Sequence, residues 1–188
     1  MITIQSLWLA ILLSAVLVWI ANALVWMLLP YHKTDYKGLP DEEGARNALN
    51  TKELAPGQYD IPHIPSRKDL KNPDVIKKFT DGPVGYFTVL KKGVPTMGKN
   101  MILSFIYYGI VGFIIAYLAS RILDPSVEYL TVFRFTGTIA WLAYGWGVIP
   151  DAIWFGKPWS SIIKNLVDSL IYALLTAGVF SWQWISMG

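Results

Sequence analysis

Charged side chains within apolar stretches are the residues of this sequence with the clearest capacity for chemistry. Arg134 lies inside one such stretch and Asp168 lies inside another. Charges are costly in lipid, so an intramembrane charge usually belongs to a path for ions or protons, or to a pair that holds helices together. At about 1.5 Å per helical residue, the depths of the two residues bring their side chains within reach of each other. Arg134 and Asp168 are therefore candidates for a pair, which would act either as a proton or ion relay or as a structural clamp.

The same stretches offer other partners for these charges. Arg134 could extend outward to Glu128 and Asp124, because long basic side chains reach toward water from within a membrane. Lys164 lies near the start of the last apolar stretch, and Asp151 lies just after the stretch that contains Arg134. A Lys164–Asp151 contact near the membrane boundary would neutralise both charges, and we interpret it as structural.

The two histidines, His32 and His63, are the remaining candidates for a site. With Asp35 or Asp60 they could supply ligands to a surface metal ion, whereas neither lies where a membrane haem would need an axial ligand. The chain has no cysteine, which excludes disulfides, thiolate zinc sites and cysteine-held iron–sulfur clusters. The sequence contains no nucleophile motif, zinc-protease motif or glycine-rich phosphate loop, so we expect a protein that is not an enzyme. We expect no cofactor apart from bound lipid, and no nucleic-acid partner.

Four apolar segments position these residues. The chain is 54% hydrophobic and only 15% charged, whereas soluble domains are about 25% charged. Each segment is long enough to cross a hydrocarbon core of about 30 Å as a helix, the form in which a single segment satisfies its own backbone in lipid. The sequence therefore predicts an all-α integral membrane protein with four transmembrane helices at residues 7–29, 101–121, 129–149 and 159–182, and a mixed extramembrane loop at residues 30–100.

The positions of the basic residues predict an orientation. Twelve of the 16 Lys and Arg residues lie in the loop of residues 30–100, and Lys157 follows the third predicted span on the same side. Loops rich in Lys and Arg tend to stay in the cytoplasm. We therefore expect the long loop in the cytoplasm and both termini outside.

The long loop carries its own signals of local structure. Residues 40–49 and the segment that begins at Asn72 and Pro73 read as short helices, since Asn caps a helix and Pro suits its first position. Residues 86–90 read as a strand with residues 58–64 as a possible partner. The apolar content is modest for a segment of this length, so we expect it to pack on the helix ends or on another protein.

Small residues recur every four positions in the predicted spans. This spacing lets helix backbones approach closely where no hydrophobic effect drives helices together. The helices could use these positions within the bundle or against other subunits. The small residues are Gly112, Ala116 and Ser120 in the second span, Ala143 and Gly147 in the third, and Ser169, Ala173, Ala177 and Ser181 in the fourth.

Two stretches carry a resemblance to a family. Residues 29–42, with Leu29-Pro30-Tyr31-His32-Lys33-Thr34-Asp35-Tyr36, and the run Trp154-Phe155-Gly156-Lys157-Pro158-Trp159 resemble uncharacterised bacterial four-span inner-membrane proteins known only as domains of unknown function. The resemblance implies a bacterial inner membrane and no activity. The absence of catalytic motifs, the spacing of the small residues and the low apolar content of the long loop lead us to expect a non-catalytic accessory or scaffold subunit of a larger bacterial membrane complex, such as a respiratory or other energy-converting assembly. The alternatives are a small ion or solute carrier that uses Arg134 and Asp168, and a metal or haem protein that uses His32 and His63.

Overall fold

The computed structural model describes residues 2–50 and 54–187, in two units. Unit 1 consists of Met1–Tyr36, Thr96–Ala152 and Lys157–Gly188, and unit 2 consists of Lys37–Pro95 and Ile153–Gly156. The chain is mostly helical, with one small sheet. The helices are α1 (Trp8–Leu28), α2 (Glu42–Asn50), α3 (Pro73–Asp81), α4 (Met97–Ile122), α5 (Tyr129–Gly145), α6 (Ile149–Phe155) and α7 (Trp159–Met187), and the strands are β1 (Gly57–Ile61) and β2 (Gly85–Val89).

Among the described residues, three helices are long and apolar enough to cross a membrane: Gln5–Leu28, Met97–Ile122 and Trp159–Met187. The third predicted span, residues 129–149, is a shorter helix than the sequence indicates. Helix α5 has 17 residues and ends at Gly145, and a 3₁₀ turn at Trp146–Val148 leads into α6. Pro150 is the second residue of α6, where its missing N–H costs nothing, whereas it could not have continued α5 without losing a hydrogen bond.

The helices of unit 1 form a four-membered bundle. Helix α7 packs against α5 and α1, and α4 packs against α1 and α5. Large side chains fill one end of the interior, with Trp184, Phe180, Leu7 and Ile115 fully buried. A second cluster, around Val18, Val25, Tyr108 and Tyr172, lies separately. The interior of the bundle therefore consists of two apolar clusters, with buried polar groups among the same helices.

Small residues set the close helix approaches. Gly112 of α4 is buried against α1, and a Cβ there would lie 3.4 Å from the carbonyl oxygen of Ile11. Gly145 of α5 packs so tightly on α7 that a Cβ would lie 2.7 Å from the Cβ of Ser169. Ala116, Ala173 and Ala177 are also buried, whereas Ser120 is half-buried and bonds the carbonyl of Tyr117. Ala143 and Gly147 are exposed and do not form the packing ridge that their spacing suggested, because α5 turns Thr136 and Ala140 inward instead.

Unit 2 contains the small sheet and two helices. Strands β1 and β2 pair antiparallel, with Tyr59 opposite Phe87 and their rings stacked at 5.5 Å. The predicted cap of α3 is confirmed: the side chain of Asn72 accepts a hydrogen bond from the backbone N–H of Asp74, and Pro73 is the first helical residue. Gly82 ends this helix at a φ of 66°, a conformation that glycine adopts without strain.

Candidate functional site

The short turn that follows α1 carries His32, a buried ionisable residue. Leu29 is extended, and Pro30–Thr34 then form a 3₁₀ helix with Pro at its first position. Proline stops α1 because it cannot donate the next helical hydrogen bond. The turn carries His32 into the interior, where only 5% of it is exposed and its ring stacks on Trp26 of α1 with the ring centroids 3.9 Å apart.

His32 lies between two carboxylates. Its Nδ1 is 2.7 Å from Oδ2 of Asp35, and its Nε2 is 2.7 Å from Oδ2 of Asp168 on α7. The hydroxyl of Tyr31 donates a hydrogen bond to the other oxygen of Asp168. Asp168 is 2% exposed, so these partners replace the water that an ionised carboxylate would need. The turn after α1 is thereby joined to α7 by adjacent polar contacts.

Lys164, one turn before Asp168 on α7, makes further contacts with the same turn. Its Nζ donates to the backbone oxygen of Tyr31 at 2.6 Å, to Oγ1 of Thr34 at 2.7 Å and to Oδ1 of Asp35 at 2.7 Å. Ser161 donates to the same oxygen of Asp35 at 3.0 Å. The hydrogen bond from Lys164 lowers the pKa of Asp35 to about 2, and the contacts with His32 and Ser161 act in the same direction against its burial. Asp35 is therefore ionised at any physiological pH.

We call Tyr31, His32, Asp35, Lys164 and Asp168 the His32 cluster. Each of its ionisable side chains has a partner of opposite charge or a hydrogen-bond partner. A cavity of about 220 Å³ lies beside the cluster, and Asp35 forms part of its wall. Its other lining residues are Trp26, Tyr36, Lys157, Pro158, Ser161 and Asn165.

Buried polar groups continue along α7 beyond the cluster. Tyr172 lies one turn after Asp168, and its hydroxyl donates to the side-chain oxygen of Asn22 on α1 at 3.2 Å. Thr176 lies one turn further and shares a 3.2 Å hydrogen bond with the hydroxyl of Tyr144 on α5. The interior of the bundle therefore has polar side chains at successive turns of one helix face.

The predicted pair of Arg134 with Asp168 does not form. Asp168 is occupied by His32 and Tyr31, whereas Arg134 is an exposed residue of α5 and lines a different pocket. Within the described residues no ion pair involves Arg134, and Asp124 instead accepts hydrogen bonds from Ser126. Similar depth in the membrane did not predict contact between the two side chains, because Arg134 is on the exposed side of α5.

The predicted contact between Lys164 and Asp151 is also wrong. Lys164 bonds Asp35, while Asp151 is 3.9 Å from Lys157, and both side chains of that second pair are well exposed. Lys164 is near the start of α7, where the turn after α1 arrives and offers a carboxylate and two further acceptors. Lys164 therefore pairs with the carboxylate of Asp35, which has little contact with water, rather than with that of Asp151, which water already solvates.

Each of the two histidines has carboxylate partners within its own unit. His63 belongs to unit 2, where its Nδ1 is 2.7 Å from Oδ1 of Asp60, and His32 belongs to unit 1. Both ring nitrogens of His32 face carboxylate oxygens, whereas a metal-ligating histidine gives one nitrogen to the metal. No group of three or more His, Cys, Asp or Glu residues in the described ranges, 2–50 and 54–187, is arranged to hold a metal ion.

Sequence reasoning named every ionisable member of the cluster but did not assemble it. Asp35 lies three residues after His32, a spacing that brings the two side chains together on a single turn. Asp168 is 136 residues from His32, so no local pattern joins them. The signal that could have found the contact is the proline after α1, which turns the polar residues after it back toward the bundle.

Comparison of the chain with protein-family models, with characterised proteins and with solved structures gives no significant match.

Proposed function

We propose that this chain is a non-catalytic accessory or scaffold subunit of a larger complex in a bacterial inner membrane, of the respiratory or another energy-converting kind. The observation that carries the proposal is the absence of a core in unit 2. Among its described side chains none is buried, although it contains two helices and a paired sheet. A polypeptide of this size normally needs a buried apolar core, or a partner, to stay folded.

The exposed apolar side chains of unit 2 supply a surface for such a partner. Leu90 is 75% exposed, and Val84, Tyr86 and Ile76 are also largely exposed. Exposed apolar side chains that are numerous in one unit are typical of interaction surfaces. We therefore assign the partner surface to unit 2 and expect the partner to be another membrane-protein subunit.

The His32 cluster supports a structural role in the same protein. It fastens the turn that directly precedes Lys37, the first residue of unit 2, to helix α7. All the charges in the cluster have partners, which suits a fixed anchor better than a catalytic centre that must admit a substrate. A carrier that uses Arg134 together with Asp168 has less support, because the two residues have separate surroundings.

We further propose that α5 is a fourth membrane span. Its 17 residues would extend about 26 Å at about 1.5 Å per residue, near the lower limit for a spanning helix. With four spans, both termini lie on one side, and the basic residues of the long loop favour the cytoplasm for that loop and the outside for the termini.

The size of the solubilised particle tests the proposal. The tagged full chain should leave its native membrane in mild detergent within a particle much larger than its own 21.1 kDa chain and together with other polypeptides in fixed ratio. A single chain in its detergent micelle, with no companion in fixed ratio, would refute the proposal.

A pair of variants assigns the surface. Leu90→Glu places a charge on the apolar surface of unit 2 and should release the companions. Lys78→Glu changes an exposed charged residue of α3 two positions after Ile76 and should retain them, because residues two apart on a helix do not share a face. If both variants keep the companions at the wild-type ratio, the partner surface is not at Leu90.

A further inference from the structure

We propose that the His32 cluster is a proton-binding site: one exchangeable proton, beyond the single N–H of a neutral imidazole, is shared between His32 and Asp168 and is supplied through the cavity beside Asp35. The ligand of the site is thus a proton. This inference is independent of the scaffold role, since it concerns the interior of unit 1 and would hold with or without a partner.

The proton follows from the two contacts of the imidazole ring. Nδ1 and Nε2 of His32 are each 2.7 Å from a carboxylate oxygen. A carboxylate oxygen and an unprotonated ring nitrogen both carry only lone pairs, so a contact of this length needs a proton between the two atoms. A neutral imidazole has one N–H for two such contacts. The geometry therefore requires a second proton, on the ring or on a carboxyl group.

The neighbouring donors decide where that proton lies. Lys164 and Ser161 both donate to Asp35, and the resulting low pKa of about 2 keeps Asp35 ionised. On Asp168, Tyr31 donates to one oxygen and His32 contacts the other. The second proton is therefore shared along the line between His32 and Asp168.

The charge balance of the cluster supports the same assignment. The groups that face His32 are Asp35 from its own turn, Asp168 from α7, the hydroxyl of Tyr31 and the uncharged Trp26 ring of α1. Lys164 of α7 lies behind Asp35 and contributes one positive charge. With the second proton present, the cluster has no net charge. Without it, one uncompensated negative charge stays in a buried place, which is strongly unfavourable.

The cavity gives this proton a route to water. Its volume of about 220 Å³ can hold several water molecules, since one water needs roughly 10–15 Å³ of such space. Asp35 and Ser161 form part of its wall, and Asp35 is in turn in contact with His32. The cavity, Asp35, His32 and Asp168 therefore form an ordered series from the cavity to the interior of the bundle.

The experiment is nitrogen-15 NMR of the full chain in lipid bilayers, with only the histidines labelled. The chain has two histidines, and a His63→Asn variant assigns the signals of His32. At about pH 8 an isolated histidine with a pKa of about 6.5 is only about 3% protonated at both nitrogens. We expect His32 at this pH to show either two protonated nitrogens, or one protonated nitrogen together with an infrared band of a protonated carboxyl group.

Two variants locate the proton. Asp168→Asn keeps the shape of the side chain, and its amide can donate to Nε2, so the second proton is no longer needed and its signal should disappear at about pH 8. Asp151→Asn is the matched control, because Asp151 pairs with Lys157 at the surface, and it should leave the His32 signals unchanged.

Two results would overturn the proposal. One is an unprotonated nitrogen on His32 at about pH 8 in the unmodified chain with no protonated carboxyl group. The other is an Asp168→Asn protein, folded as judged by its helical circular dichroism, that keeps the second proton. If that variant does not fold, the spectrum of the unmodified chain decides the question by itself.

Discussion

Replacement of Lys164 by methionine tests whether the His32 cluster holds the protein together. Methionine keeps most of the length of the side chain and removes the ammonium group. Lys164→Met therefore deletes three hydrogen bonds, to the backbone of Tyr31, to Thr34 and to Asp35, and leaves the Asp35 carboxylate with only His32 and Ser161 as partners.

The expected cost follows from how deeply the pair is buried. Removing one partner of a fully buried pair costs about 3–5 kcal/mol, and a surface pair contributes about 0–1 kcal/mol. The side chain of Lys164 is 21% exposed and that of Asp35 is 6% exposed, which puts this pair closer to the buried limit. We expect the free energy of unfolding to fall by about 2–4 kcal/mol.

The assay is equilibrium unfolding of the purified protein in mixed micelles, followed by circular dichroism as the fraction of denaturing detergent rises. Lys157→Met is the matched control. Lys157 is 3.9 Å from Asp151, with side chains that are 39% and 47% exposed, so its replacement should cost less than about 1 kcal/mol.

A double-mutant cycle separates the pair from its surroundings. Asp35→Asn removes the carboxylate charge, and in the double variant with Lys164→Met the two costs should overlap by about 0.5–3 kcal/mol. Equal, small losses for Lys164→Met and Lys157→Met, or strict additivity in the cycle, would refute the view that Lys164 anchors the turn after α1.

Three further predictions follow from particular contacts. The pKa of Asp35 in the folded protein, about 2, is below its usual value of 3.8, so the contribution of Asp35 to stability is complete above about pH 4 and is lost as the pH falls toward 2. Unfolding titrations across that range should show this loss, and the Asp35→Asn protein should not show it. Gly145→Ala should lower the free energy of unfolding by about 1–3 kcal/mol, because the added methyl group would clash with Ser169. Gly147→Ala, whose added methyl group would meet nothing within 4 Å, should change it by less than about 0.5 kcal/mol in the same assay, and equal effects would contradict the close approach of α5 and α7. Arg134→Met should change stability by less than about 0.5 kcal/mol, because the exposed Arg134 has no ion pair in the part of the chain that the structure describes, and a larger loss would reveal a partner.

Local signals in the sequence predict the secondary structure well. Long apolar runs indicate the helices of unit 1, Pro30 explains the end of α1, and Asn72 with Pro73 predicts the start of α3. The antiparallel strands also lie within or beside the ranges expected from their residue types. These features depend on neighbours in sequence, which is why they can be read from it.

The end of α5 and the composition of the site could not be read in this way. Gly145 ends the helix where it meets Ser169 of α7, a contact between distant parts of the chain. Counting residues gives the depth of Arg134 and Asp168 but not the direction in which each side chain leaves its helix. His32 contacts Asp168 only because the 3₁₀ turn after Pro30 enters the bundle, and that path is set by packing.

The distance between the imidazole of His32 and the carboxyl group of Asp168, measured by solid-state NMR on the labelled chain in lipid bilayers, tests the central feature of the structure most directly. We predict a dipolar coupling between Nε2 and the carboxyl carbon that corresponds to a direct hydrogen bond, with the nitrogen and oxygen about 3 Å apart or less. Absence of this coupling in a helical, bilayer-embedded protein would contradict the His32 cluster and the inferences drawn from it.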